Sequence, residues 1–206
     1  MRWLSGMVCL IVLAGTLAGC FGLPGWKGPI VVPSDTPIVG APVASHDQAR
    51  RWLSSELAKR GSSSDWLELV DLYYQIGPKY NIRPDVALAQ AVHETGFFRF
   101  DNLVKPWQNN FAGIGATGTP SDGNTPLNGA DPARVRFESG VHGAIFVDRA
   151  TGVEAQVQHL YAYATTAPLP TGAVLLSPRF TYVRRGSAPT GEELSGKWAG
   201  DTEYHV

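Results

Sequence analysis

Cysteine is nearly absent from this sequence. The 206 residues include 2 cysteines, Cys9 and Cys20, and both lie in the N-terminal segment. The rest of the chain therefore has no means of forming a disulfide bond or a thiolate metal site. We expect its folded part to be stabilised by a hydrophobic core alone.

Net charge is also nearly absent, at −1 at pH 7. Lysine and arginine are scattered along the chain, apart from short pairs such as Arg50-Arg51 and Arg184-Arg185. The general electrostatic attraction by which basic proteins bind nucleic acids is therefore missing. We predict no nucleic-acid partner.

The motifs of several enzyme classes are missing too. His93-Glu94 begins like the zinc motif HExxH, but Phe97 stands where the second histidine belongs. No Gly-x-Ser-x-Gly elbow occurs, and the glycines of residues 113–118 lack the lysine of a phosphate-binding loop. We expect neither a metal ion nor a cofactor.

Residues 7–18 form an apolar run that is shorter than a typical membrane span. With Arg2 before it and small residues after it, this run is typical of a secretory signal. The ending Leu17-Ala18-Gly19-Cys20 resembles a bacterial lipobox, in which the cysteine is lipidated and becomes the new N-terminus. We predict a lipoprotein signal peptide over residues 1–19 and lipidation of Cys20. In the alternative, the run is a plain anchor and Cys20 is incidental.

Proline and glycine are frequent in residues 20–44, which show no helical periodicity. This composition predicts a tether that carries residues 45–206, the folded domain, away from a lipid surface. We therefore expect an exported lipoprotein, anchored to a membrane at the cell envelope through Cys20 and monomeric.

Helical signals fill the first half of the folded part. Ser45 and Gln48 have capping-box spacing before an apolar face, and Gly61 fits a helix end. A second helix is predicted from about Asp65. A third is predicted from Pro84 to just before Gly96.

Short strands are predicted at residues 135–138 and 144–147, around a turn at Ser139-Gly140. A fourth helix is predicted from Thr151, with Glu154 completing its capping box. The last forty residues or so are broken by proline and glycine and predict loops. The fold class is therefore mainly α (α+β): a helical domain with a small β-hairpin lobe.

Glu94 is the first candidate for chemistry, since it shares the inner face of the third helix with Ala87 and Gln90. Apolar neighbours at Phe97 and Phe98 and the negative end of the helix dipole would both raise the pKa of such a carboxyl group. A protonated carboxylic acid at neutral pH is the proton donor of glycoside hydrolysis. In the alternative, Glu94 is a surface residue paired with Arg99.

Aromatic and amide residues suggest a sugar ligand. Platforms for sugar rings are predicted among the aromatic residues Trp107, Phe111, Tyr161, Tyr163, Trp198 and Tyr204. Asn109 and Asn110 are expected as amide partners for acetamido groups. The alternative is that most of these aromatic side chains belong to the core.

With these residues in view, the chain resembles the bacterial N-acetylglucosaminidases of glycoside hydrolase family 73. The matching motifs, in order, are ALAQAVHETGFF, NNFAGIGATG, GVEAQVQHLYAYAT and RF…VRRGSAPT…GKWA. The resemblance implies a lysozyme-like fold and a peptidoglycan substrate. It also implies that Glu94 is the catalytic acid.

The second catalytic group is left open by the resemblance. Many members carry a second carboxylate on a hairpin strand, and Glu138 is the best match, with Asp131 and Asp148 as rivals. The acetamido group of the substrate is a further candidate. Members also have a substrate-contacting tyrosine, for which Tyr204 stands here, with Trp198 nearby.

The resemblance implies hydrolysis of the β-1,4 bond on the reducing side of N-acetylglucosamine. A lytic transglycosylase is one alternative, since it uses the same fold and acid but releases a 1,6-anhydro product. A non-catalytic lipoprotein that binds the cell wall is the other.

Overall fold

The computed structural model describes residues 36–198. Within this range the helices are α1 (His46–Arg60), α2 (Glu68–Ile76), α3 (Pro84–Glu94) and α4 (Arg149–Ala164), and the strands are β1 (Val135–Arg136) and β2 (Ile145–Phe146). Short 3-10 helices lie at Ser64–Leu67, Gly77–Tyr80, Pro106–Gln108 and Glu192–Leu194. This content confirms the predicted fold class, mainly helical with a small β-lobe and lysozyme-like.

The first helix follows its predicted signals. Ser45 caps α1 by accepting from the Gln48 backbone N–H, while the Gln48 side chain accepts from the backbone N–H of Ser45. Gly61 ends the helix in the left-handed region, at φ 64°. The second helix begins later than predicted, because Ser64–Leu67 first form a 3-10 turn.

The centre of the domain is α4, which is buried along most of its length. A polar side chain, Gln156, joins it to the other helices: its Oε1 accepts from the Tyr73 hydroxyl, and its Nε2 donates to Ala87 O at 3.0 Å and Gln90 Oε1 at 2.8 Å. Because buried polar groups are expensive when unpaired, these bonds fix how α2, α3 and α4 pack together.

The start of α4 differs from the prediction. Asp148 caps the helix by accepting from the Thr151 backbone N–H at 2.7 Å, so the helix begins at Arg149 and not at Thr151. Glu154 is not a capping residue; its carboxylate accepts from the Tyr80 hydroxyl at 2.6 Å. Both Asp148 and Thr151 are good capping residue types, and the sequence alone did not separate them.

The two strands pair antiparallel, with Val135 opposite Phe146 and Arg136 opposite Ile145. They are shorter than predicted, because residues 137–144 form the connecting loop instead of extending the ladder. Glu138 therefore lies beyond the end of β1.

Residues 36–40, here called the N-terminal strap, pack against the domain. The Ile38 backbone N–H donates to Pro189 O, and Ile38 O accepts from the Arg83 backbone N–H, both at 2.9 Å. The Ile38 side chain is fully buried. Residues 36–44 were predicted as part of the tether, so the packed chain begins before the expected boundary at Ser45. Within residues 36–198, no helix is both long and apolar enough to cross a bilayer.

Candidate active site

Glu94 is the last residue of α3, and its side chain is partly exposed. Its backbone carbonyl accepts from Asn102 Nδ2 at 3.0 Å. Its carboxylate lies beside the glycine-rich turn: a methyl group placed on Gly113 would be 3.9 Å from Glu94 Oε2. The structure therefore brings together the two motifs, the end of α3 and the glycine turn, that are separated in sequence.

The turn after Glu94 is held by a side chain and by unusual backbone angles. The Thr95 hydroxyl donates to Ala91 O at 2.7 Å and accepts from the Phe98 backbone N–H at 2.9 Å. Phe97, Phe98 and Phe100 all have positive φ, at 60°, 58° and 54°. Such angles are strained for residues with a side chain and persist only where surrounding contacts impose them.

A cluster of aromatic rings supplies those contacts. Phe98 stacks on Trp66 with ring centroids 5.5 Å apart, and Phe111 meets Phe98 edge to face at 6.3 Å. Phe100 also packs against Trp66, at 5.5 Å. Phe111 is 1% exposed, so it is a core residue. It packs against the aromatic side chains of the turn and is poorly placed to serve as a sugar platform.

Asn110 has a structural task. Its Oδ1 accepts from the Ile114 backbone N–H, and its Nδ2 donates to Ile114 O and Ala144 O, at 2.9, 2.9 and 3.1 Å. The side chain is 1% exposed. Asn110 thus fastens the glycine-rich turn to the chain entering β2, and its direct contact with substrate stays a prediction.

A cleft of about 170 Å³ is lined in part by this turn. The lining residues are 112–117 and, from later in the chain, His159, Tyr163, Arg179, Tyr182, Val183, Lys197 and Trp198. Gly113 thus lies beside the Glu94 carboxylate and also lines the cleft.

Three rings form an aromatic surface in the cleft. Trp198 lies 4.6 Å from the His159 ring and 5.6 Å from the Tyr163 ring, measured between centroids. The Tyr163 hydroxyl donates to Lys197 O at 2.7 Å, which ties the C-terminal segment to α4. Trp198 and Tyr163, both predicted as sugar platforms, are thus brought together where a ligand has access.

His159 is neutral at physiological pH. Burial, assisted by the positive charge of Arg179, lowers the pKa of His159 to about 3. Its Nδ1 lies 3.4 Å from Ser177 Oγ. Burial also raises the pKa of the Tyr163 phenol, although Arg179 opposes that effect. His159 is thus a buried histidine that also lines the cleft.

Arg179 and Tyr182 were assigned no role from the sequence. Arg179 stands in one of the quoted motifs, RF…VRRG, but an arginine in a proline- and glycine-rich segment has no periodic context to show where it points. In the structure the Arg179 guanidinium lies 4.8 Å from the centre of the Tyr182 ring.

The three acidic rivals for the second catalytic role are engaged elsewhere. Glu138 Oε1 accepts from Arg136 Nε at 2.7 Å on the exposed side of the hairpin. Asp131 Oδ1 accepts from the Ala133 backbone N–H at 2.9 Å. Burial alone would raise the pKa of Asp148, but its hydrogen bonds from Thr151 and the charge of Arg134 hold that pKa below its ordinary value.

None of these three carboxylates belongs to the residues that line the cleft in the described part of the chain. Residues 36–198 also contain no group of three or more histidine, cysteine or acidic side chains able to hold a metal ion. Cys20 and Tyr204 lie outside the described residues, so their predicted roles are untested.

An acid at a helix end, a glycine turn and an aromatic cleft are parts expected of a glycoside hydrolase, and comparison with known families agrees. The model of the Glucosaminidase family, described as mannosyl-glycoprotein endo-beta-N-acetylglucosaminidase, matches residues 70–204. This match covers more than half of the chain, and the chain belongs to that family.

A relative occurs in Borreliella burgdorferi (strain B31), where it is described as an uncharacterized protein. It is 38% identical over 120 residues, which are 58% of this chain and 48% of that protein. The chain thus spans about half the length of this relative. No solved structure matches the chain.

Proposed function

We propose that this protein hydrolyses the β-1,4 glycosidic bond on the reducing side of N-acetylglucosamine in peptidoglycan, with Glu94 as the general acid. One observation carries the proposal: the Glu94 carboxylate lies against Gly113, whose backbone lines the aromatic cleft. Family membership supports a glycosidase of this general type.

The position of Glu94 suits proton donation. Glu94 stands at the C-terminal end of α3, where the negative end of the helix dipole disfavours a further negative charge. A neutral carboxylic acid beside the scissile bond protonates the leaving oxygen as the bond breaks.

The aromatic surface suits a sugar substrate. Sugar rings present apolar C–H faces, and the rings of Trp198 and Tyr163 supply apolar area with polar edges. We propose that these two side chains hold the sugar next to the bond to be cleaved. Tyr204 stays a proposed contact on the strength of the family resemblance.

For the second catalytic group we favour the acetamido group of the substrate over Glu138, Asp131 and Asp148. Each of those carboxylates already has a partner away from the cleft. Attack by the acetamido oxygen would retain the anomeric configuration, whereas a water activated by Glu138 would invert it in one step. Nuclear magnetic resonance of the first-formed product separates these outcomes.

The test of the acid is Glu94→Gln, assayed by release of reducing ends from purified peptidoglycan. We expect activity to fall by about 10²- to 10⁴-fold, because general acid catalysis contributes that much. Glu138→Gln is the matched carboxylate control and is expected to retain most activity. Near-normal turnover by Glu94→Gln would overturn the assignment.

The products identify the reaction class. Mass spectrometry of digested wall should show hydrolysed ends; products lighter by one water would indicate a lytic transglycosylase. Binding to wall material without any released sugar, at high protein concentration, would indicate a binding protein.

We also propose that the protein is an exported lipoprotein held at the cell envelope through lipidated Cys20. The support is the signal-like N-terminal sequence ending in Leu17-Ala18-Gly19-Cys20. Peptidoglycan lies outside the cytoplasm, so this location and the proposed substrate agree.

A further inference from the structure

Within residues 36–198, the cleft is lined by positively charged side chains and by no acidic side chain. Arg179 and Lys197 are charged side chains among the residues that line it, and no aspartate or glutamate is among those residues. His159, the remaining titratable base there, is neutral because burial lowers its pKa to about 3. The described lining of the cleft therefore carries a net positive charge at neutral pH.

Arg179 is the more constrained of the two cations. Its guanidinium is partly buried and stands over the Tyr182 ring at 4.8 Å. No carboxylate in residues 36–198 lies within ion-pairing distance of it. By contrast, Lys197 Nζ already donates to Ser187 O.

An arginine in this state is suited to binding an anion. A guanidinium binds a carboxylate through two parallel N–H···O bonds, and partial burial strengthens them by excluding water. Contact with the Tyr182 ring restricts the motion of the guanidinium, so less conformational freedom is lost when a ligand binds.

We infer that Arg179 binds a carboxylate of the substrate and thereby makes the cleft selective for acidic glycan strands over neutral N-acetylglucosamine polymers. The inference rests on the proposed glycosidase function and names the feature of the substrate that the cleft selects. Trp198 and Tyr163 would contact the apolar face of the sugar ring, while Arg179 binds its negatively charged substituent.

A wall glycan has two sources of such a carboxylate. One is the lactyl group of N-acetylmuramic acid, which is free when no peptide is attached. The other is the peptide stem. Three substrates separate them: intact peptidoglycan, strands stripped of peptide by an amidase, and the same stripped strands with the lactyl carboxylate converted to a neutral amide.

The wild-type protein should cleave stripped strands with a higher kcat/KM than their amidated form, by about 10- to 100-fold, the ordinary effect of one charged hydrogen-bonded pair. Arg179→Gln should bring this ratio close to one, and Arg179→Lys should give an intermediate ratio. If intact peptidoglycan alone shows the Arg179 dependence, the carboxylate belongs to the peptide stem.

Arg184→Gln is the matched control, because Arg184 is an exposed arginine of the same segment that does not line the cleft. It should leave the ratio as in the wild type. Equal losses on all three substrates with Arg179→Gln, or no loss on any of them, would overturn the inference.

Binding measurements separate this inference from the proposed function. If no substrate is cleaved, the proposed function fails, and calorimetry with stripped and amidated strands still tests Arg179. If Arg179→Gln does not fold, the wild type decides: no preference for stripped over amidated strands, together with no preference for intact peptidoglycan over amidated strands, in turnover or in affinity, refutes a carboxylate site.

Discussion

At the scale of single residues, the site combines one predicted acid with side chains whose roles depend on distant neighbours. The location of Glu94 at a helix end was predictable, because α3 has a clear apolar face and a proline start. The core position of Phe111 was not, because it depends on Trp66 and Phe98, which the chain brings together only on folding.

His159 leads to a prediction about pH. Its pKa is about 3 in the folded protein and near the ordinary 6.5 when unfolded. Between these values the unfolded chain binds a proton that the folded chain excludes, so stability falls as pH drops from about 6.5 toward 3. The contribution is at most about 1.4 kcal/mol per pH unit.

His159→Gln should therefore flatten the decline in free energy of unfolding between pH 6.5 and 4, measured by urea denaturation at each pH. An unchanged slope in His159→Gln would contradict the low pKa.

At the scale of elements, local signals predicted the helices better than the segments between them. The capping box of α1 is contained in four consecutive residues, Ser45 to Gln48, and the structure confirms it. The N-terminal strap has no periodic signal. Its order comes from hydrogen bonds to Asn81, Arg83 and Pro189, which lie far along the chain, so composition alone indicated a tether.

Asp85, in the first turn of α3, connects this helix by hydrogen bonds to Val43 and Ala44, which follow the N-terminal strap. Its buried carboxylate accepts from the backbone N–H groups of Val43 and Ala44 at 2.9 and 3.1 Å, and from Arg83 Nη2 at 2.7 Å. Burial alone raises the pKa of Asp85, but these partners hold it below its ordinary value.

Asp85→Asn should reduce the free energy of unfolding by about 3–5 kcal/mol, because it leaves the buried Arg83 guanidinium facing an amide instead of a carboxylate. Chemical denaturation measures the change. Asp122→Asn, in an exposed turn where Oδ1 accepts from the Asn124 backbone N–H, is the control and should shift stability by less than about 0.5 kcal/mol. Similar losses in both variants would contradict the role of Asp85.

At the scale of the whole molecule, the predicted lipid anchor has a direct test. Cys20→Ser should move the protein from the membrane fraction to the soluble fraction of lysed cells, because the acyl chains that hold it would be lost. Cys9→Ser is the matched control and should leave the protein in the membrane fraction.

Intact mass of the purified wild type should show the first 19 residues removed and acyl chains added. A mature chain that keeps residues 1–19, or a Cys20→Ser variant that stays membrane-bound, would contradict lipidation.

The N-terminal strap has a mechanical consequence. The backbone of Ile38 forms hydrogen bonds to Pro189 and to Arg83. A force applied to the chain before Thr36 would therefore act on these two residues before it reaches α1. One of those neighbours leads into the segment that ends at Trp198, in the wall of the cleft. If the domain is tethered through its N-terminus, tension in the tether would then act on residues 189–198, the same segment whose Trp198 is proposed to bind the sugar.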